Sequence, residues 1–213
     1  MAEATVTKLP EAPGRFPISF TLGDRVIDSA VIRPLTLPVF VDCVLDTRNM
    51  DAPKTFEAKL RRNRLVKQVT FYIGNTPTPL TPEEMLRMPI PVARILIDNL
   101  DTADGPMGKV TRKGDGISTA IVYELGTPIS GGQGRPQIKE LEFLATTYGD
   151  VEDIMAAGTG LQQALLLVET IAKPLGTSLT SLPSWAVNQI SATDGLTISN
   201  VVLPFFNGSP DES

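Results

Sequence analysis

Five carboxylates fall between positions 140 and 153: Glu140, Glu142, Asp150, Glu152 and Asp153. Two such groups held a few ångströms apart can hydrolyse a glycoside, and several oxygens together can hold a hard cation. The spacing here points elsewhere. Glu140 and Glu142 lie two apart in an alternating segment, so they share the solvated face of a strand. Asp150, Glu152 and Asp153 fall in the first turn of the helix that follows, where acids favour the dipole. The glycine-rich run Gly131-Gly132-Gln133-Gly134 lacks the strand-before, helix-after context of a phosphate loop. No Lys-Ser/Thr pair completes it, so it reads as a hairpin loop. No catalytic, cofactor-binding or metal-binding residue is assigned.

Composition narrows the chemistry further. The chain has 213 residues, no histidine and one cysteine, Cys43. Without histidine, Ser-His-Asp and Cys-His catalysis are excluded, and one thiol makes neither a disulfide nor a Cys/His zinc site. Cys43 falls on an apolar helical stripe with Val39, Phe40 and Val44, and reads as a buried small hydrophobe. The net charge of −5 repels nucleic acid and anionic membranes. Lys59, Arg61, Arg62, Arg64 and Lys67 form the densest basic cluster. No aromatic residues interleave for base stacking, so a solvated helix face is expected. The polar start, MAEATVTKLPEAPGR, does not read as a signal peptide. The apolar runs at 161–168 and 201–206 are far shorter than the ~20 residues that cross a bilayer. A soluble protein made and used in a cytoplasm is expected.

The stretch at 138–157, IKELEFLATTYGDVEDIMAA, sets the architecture. It begins with strand-like alternation and changes to helical spacing at Val151, Ile154 and Met155, with Asp150 as N-cap. Residues 26–45 repeat this design after a hairpin of 16–22 and 26–32 turning at Gly23-Asp24. A long helix is expected over 52–73, with Phe56, Leu60, Val66, Val69 and Ile73 inward. Residues 77–80 read as a linker. Thr81-Pro82-Glu83-Glu84 is a helix start with a capping box, and an apolar helix follows over 92–100. In the second half, 119–125 and 138–143 read as paired strands. Helices are expected from 150 and over 161–172, with a short helix through Ile190.

The order of parts in the two halves is the same. The fold class expected is α+β, in two similar halves, each a β-hairpin followed by a small cluster of helices. The boundaries are an N-terminal arm at 1–15, a first repeat at 16–101, a linker at 102–118, a second repeat at 119–206 and a tail at 207–213. Aromatic and apolar residues of the second half, Tyr148, Trp185, Val201, Val202, Phe205 and Phe206, are the candidate partner-binding set.

The second half also resembles a family. YELGTPI, IKELEF, GDVEDIMAA, LPSWAVNQI, Asp194 and VVLPFF occur in an order similar to that of the small tail assembly chaperones of Mu-like and P2-like tailed phages. The resemblance covers about 121–206, and more faintly 16–101. It implies a non-enzymatic assembly role without cofactor, with the tape-measure protein, or another tube or baseplate protein, as partner. The setting implied is the host cytoplasm during assembly, and a homo-oligomer is compatible with it. The usual unit of that family is single and shorter, whereas this chain holds two. The alternative is a structural component of the tail, baseplate or neck that stays in the virion.

Overall fold

A computed structural model describes residues 14–102, 104–113, 120–132, 134–144, 147 and 149–206. The protein is α+β, with two four-stranded antiparallel sheets. It divides into two compact units: Met1–Leu35 with Asp42–Asp104, and Thr36–Val41 with Gly105–Ser213.

In unit 1, β1 (Arg15–Leu22) and β2 (Arg25–Ile32) form the expected hairpin. Gly23 has φ +59°, the left-handed conformation that a two-residue hairpin turn needs. Helix α1 (Leu37–Asp46), of which only Asp42–Asp46 belongs to unit 1, and α2 (Phe56–Gln68) follow. The chain then returns to the sheet as β3 (Val69–Ile73) beside β2, and β4 (Thr76–Thr78) closes the meander. Two expectations change here. Residues 69–73 are strand, not the end of a long helix, because Val-Thr-Phe-Tyr-Ile is β-branched and aromatic and has a free edge of β2 to join. The proposed linker at 77–80 contributes to β4. Helix α3 (Pro82–Met85) carries the expected capping box, and α4 (Ile90–Thr102) follows. Val92, Leu96 and Leu100 recur every fourth residue and pack in one core with Ile18, Phe20, Ile27 and Phe71 from the sheet. Phe20 and Phe71 meet edge to face, with ring centroids 6.1 Å apart.

In unit 2, β5 (Lys109–Lys113) precedes β6 (Ala120–Ile129) and β7 (Ile138–Phe143). A strand thus lies inside the stretch expected to be linker at 102–118. Its sequence, KVTRK, is charged and mostly exposed, as suits an edge strand, so hydropathy does not reveal it. Helices α5 (Gly149–Ala156) and α6 (Gly160–Thr170) follow, and β8 (Lys173–Pro174) pairs with β7. Pro174 sits on an edge strand, where its missing N–H costs no ladder bond. Then come α7 (Ser184–Val187), α8 (Ala192–Thr197), a π-helical turn (Ile198–Val202) and α9 (Leu203–Phe206). The wide turn has a local cause. Pro204 has no N–H to bond back to Asn200, and the Leu203 N–H instead reaches five residues back to the Ile198 carbonyl.

Thr36–Val41 belongs to unit 2 although it comes early in the chain. Thr36 bridges Ser191, and the Leu37 N–H donates to the Ile190 carbonyl at 2.7 Å. Leu37 is fully buried, and a Cβ on Gly195 would overlap its side chain. Any side chain at position 195 would therefore have to displace Leu37.

Candidate functional site

Asp194 is fully buried in unit 2, at the third position of α8. Its Oδ1 accepts the Tyr123 hydroxyl at 2.7 Å and the Gly126 N–H at 2.9 Å. Its Oδ2 accepts the Ser191 hydroxyl at 2.8 Å, while the Asp194 N–H donates to Ser191 Oγ at 3.0 Å. Burial, reinforced by the Asp194 carboxylate, pushes the Tyr123 phenol well above its ordinary range. The arrangement is a closed network that fastens the middle of β6 to the start of α8. Among the described residues no buried side-chain polar atom lacks a partner. From the sequence, Asp194 stands out only as one member of the phage-like order of segments. The signal for the network was present, since Ser191-x-x-Asp194 has the spacing of a helix cap.

The second-half residues expected to bind a partner separate. Val202 is fully buried and faces the core of unit 2, because the 201–206 run is helical and only part of it points outward. Val201 is 49% exposed. Phe205 and Phe206 are half-buried, stacked edge to face at 5.6 Å, and the Arg112 guanidinium lies 5.5 Å from the Phe205 ring. Trp185 is half-buried beneath the Arg135 guanidinium at 5.2 Å. Tyr148 lies outside the described residues.

The basic helix α2 of unit 1 differs most from expectation. Phe56 and Val66, placed inward by periodicity, are exposed, and the buried positions are Asn63, Arg64 and Gln68. Each is anchored. Asn63 Nδ2 donates to the Cys43 carbonyl at 2.8 Å, and Gln68 Nε2 to the Arg33 carbonyl at 3.0 Å. Arg64 Nη2 donates to the Leu100 carbonyl at 2.9 Å and to Asp104 Oδ1 at 2.7 Å, and its Nε to Gln68 Oε1 at 2.9 Å. These bonds tie α2 to α1, to the end of β2 and to the end of α4. Lys67 pairs with Asp46 at 2.9 Å. Partial burial opposes its charge, but Asp46 and Asp42 outweigh it and the pKa is raised. Of the basic cluster only Arg64 is buried; Lys59 and Arg62 are half-buried and donate to carbonyls, and Arg61 and Lys67 are exposed, so the expected solvated face is met in part.

Beside this scaffold runs an apolar groove of about 420 Å³, lined by Ala58, Arg61, Arg62 and Leu65 of α2, with Met85, Leu86 and Ile97. Leu65 and Met85 rest on the core of unit 1, so the floor of the groove is continuous with that core. Leu86 is 67% exposed. Large side chains left this far in water on a folded surface mark a binding site more often than scattered single ones do.

Glu140 is exposed and Glu142 half-buried on β7, Asp150 and Glu152 lie in the first turn of α5, and Asp153 falls one turn later than expected because the helix begins at Gly149. Asp150, expected as the N-cap, lies inside α5 instead, and its Oδ2 reaches back to accept the Thr147 N–H at 2.7 Å. Among the described residues, no group of three or more carboxylate or thiol side chains is placed to hold a metal ion, and no helix is long and apolar enough to cross a membrane. Comparison of the chain with protein-family models, curated proteins and solved structures finds no match.

Proposed function

We propose that the protein is a non-enzymatic bacteriophage tail assembly protein that acts like a chaperone, binding the tape-measure protein or another tail protein. The observation that carries this reading is the apolar groove of unit 1, open to solvent and rimmed by exposed Leu86. An apolar floor with cationic edges suits another polypeptide better than a small polar substrate. The repeated order of parts supports it too. Each unit has a hairpin, two helices, a returning strand and a short helix leading into a longer helical segment. Each unit would then stand for one copy of that family's usual single, shorter unit. The buried Tyr123–Asp194 network is already satisfied within the fold, so it serves structure.

The experiment is co-expression with the tape-measure protein, followed by mass spectrometry of purified particles. An assembly chaperone co-purifies with that protein and is missing from finished particles. Presence in particles at fixed copy number assigns the chain to the virion instead. Neither association nor particle incorporation overturns both.

A further inference from the structure

We propose that the groove between α2 and α4 of unit 1 is the docking site for an amphipathic helix whose apolar stripe is flanked by carboxylates. This rests on the reading above that the chain binds a client polypeptide.

The geometry sets the occupant's shape. Ala58, Arg61, Arg62 and Leu65 recur at i, i+3, i+4 and i+7, so they share one face over two turns of α2. That face is about 10 Å long at 1.5 Å per residue. Ile97 of α4, with Met85, Leu86, Ala52 and Pro53, lines the rest of the groove. Apart from Ala52, Pro53 and Leu86, the lining lies on helices, whose backbone groups are already paired within themselves. They offer no strand edge for an extended segment to join. A segment that buries itself here must satisfy its own backbone bonds, and so it must be helical. Two turns of groove take apolar side chains at i, i+3 or i+4, and i+7 of the incoming helix.

Charge sets its chemistry. Among the described residues neither Arg61 nor Arg62 is within 4.0 Å of a carboxylate, whereas Arg25, Arg64 and Lys67 all form ion pairs. Arg62 instead donates to the carbonyls of Ala52 and Pro82, at 3.3 and 3.5 Å. Asp51, Glu57, Glu84 and Asp98 adjoin the lining in sequence; Glu84 pairs with Arg25, and among the described residues none of the four closes on these cations. Two uncompensated guanidinium groups beside an apolar floor are complementary to carboxylates flanking an apolar stripe. Nucleic acid would meet the same cations, but the groove presents Leu65, Met85, Leu86 and Ile97 where bases need stacking partners.

The test uses the full chain and a labelled, stapled helical peptide of about four turns, long enough to be ordered. It carries leucines at i, i+3, i+4 and i+7 with flanking glutamates, and binding is read by fluorescence anisotropy. Arg61→Glu and Leu86→Ser alter exposed side chains, and circular dichroism checks that each variant keeps its fold. Each should weaken binding at least tenfold, and Arg61→Glu should improve binding of the matching lysine-flanked peptide. Val201→Ser, on the other unit, should leave affinity unchanged. Affinity insensitive to Arg61→Glu and Leu86→Ser, loss through Val201→Ser alone, or equal competition by a single-stranded oligonucleotide overturns the proposal. So does a dimer that sedimentation shows to be dissolved by Leu86→Ser, since the occupant is then a second copy. Peptide binding without tape-measure co-purification keeps the groove and sinks the phage reading. Co-purification unaffected by both groove variants does the reverse.

Discussion

The Tyr123 hydroxyl donates to Asp194 Oδ1 at 2.7 Å, joining two residues 71 positions apart inside unit 2. Position 194 has a counterpart in the first half. Helix α3 begins at Pro82 and α7 at Ser184; α4 begins at Ile90 and α8 at Ala192, each pair 102 residues apart. The buried positions keep the same interval: Leu80 and Leu182, Met88 and Ile190, Leu96 and Ile198, Leu100 and Val202. At that interval Asp194 corresponds to Val92, which lies in an apolar core. Where one half packs a methyl pair, the other holds a carboxylate and three donors.

Tyr123→Phe removes one donor and leaves Asp194 buried with two. A loss of about 1–3 kcal/mol is expected, measured by denaturant unfolding. Asp194→Ala strands Tyr123, Gly126 and Ser191 together, and a loss of at least ~3 kcal/mol is expected. A value near zero for both would mean that water reaches the network.

Cys43 is fully buried, and that burial pushes its thiol up to about 11 from an ordinary value of 9.0. The thiol should stay unreactive toward a disulfide reagent at pH 8 and become reactive at the rate of unfolding. The sign for stability follows from linkage. Above pH 9 the unfolded chain ionises first, so stability falls as pH rises from 9 toward 11. In Cys43→Ala this slope should lessen, as read from melting temperature against pH, the remainder coming from Tyr123 and Lys67, whose pKa values are also raised.

The Thr81 side chain accepts the Glu84 N–H at 3.2 Å, and Glu84 accepts the Thr81 N–H at 2.9 Å. That backbone bond, with Arg25 beside it, holds the Glu84 carboxyl below its usual range. A lowered carboxylate contributes stability at neutral pH that is lost as pH falls through the folded value. Thr81→Ala should cost about 1 kcal/mol, and thermal melts of Glu84→Gln should lose part of the acid-side dependence.

Arg64→Met keeps the aliphatic stem and deletes the donors to Leu100, Asp104 and Gln68. A loss of about 2–4 kcal/mol is expected, because buried acceptors are left unpaired. Hydrogen exchange should show the last turn of α4 opening first. Arg61→Met, at an exposed position on the same helix, should shift stability by no more than ~0.5 kcal/mol.

Much of the fold follows from the chain's own order of residues. The Gly23-Asp24 hairpin, the Thr81 cap, the strand-to-helix switch after Phe143 and the α+β class rest on contacts among near neighbours, and local spacing determines them. What spacing left undecided depends on partners far along the chain. Residues 69–73 become strand because β2 offers a free edge, and charged 109–113 pairs with β6 for the same reason. Asn63, Arg64 and Gln68 turn inward because carbonyls of Cys43, Leu100 and Arg33 wait for them, so hydropathy alone puts the wrong face of α2 inside. The groove is likewise tertiary: Leu65, Leu86 and Ile97 share no period, and only the packing of α2 beside α4 makes them one surface. Sequence decides what each segment can form, and long-range hydrogen bonds and burial decide which side of it meets water.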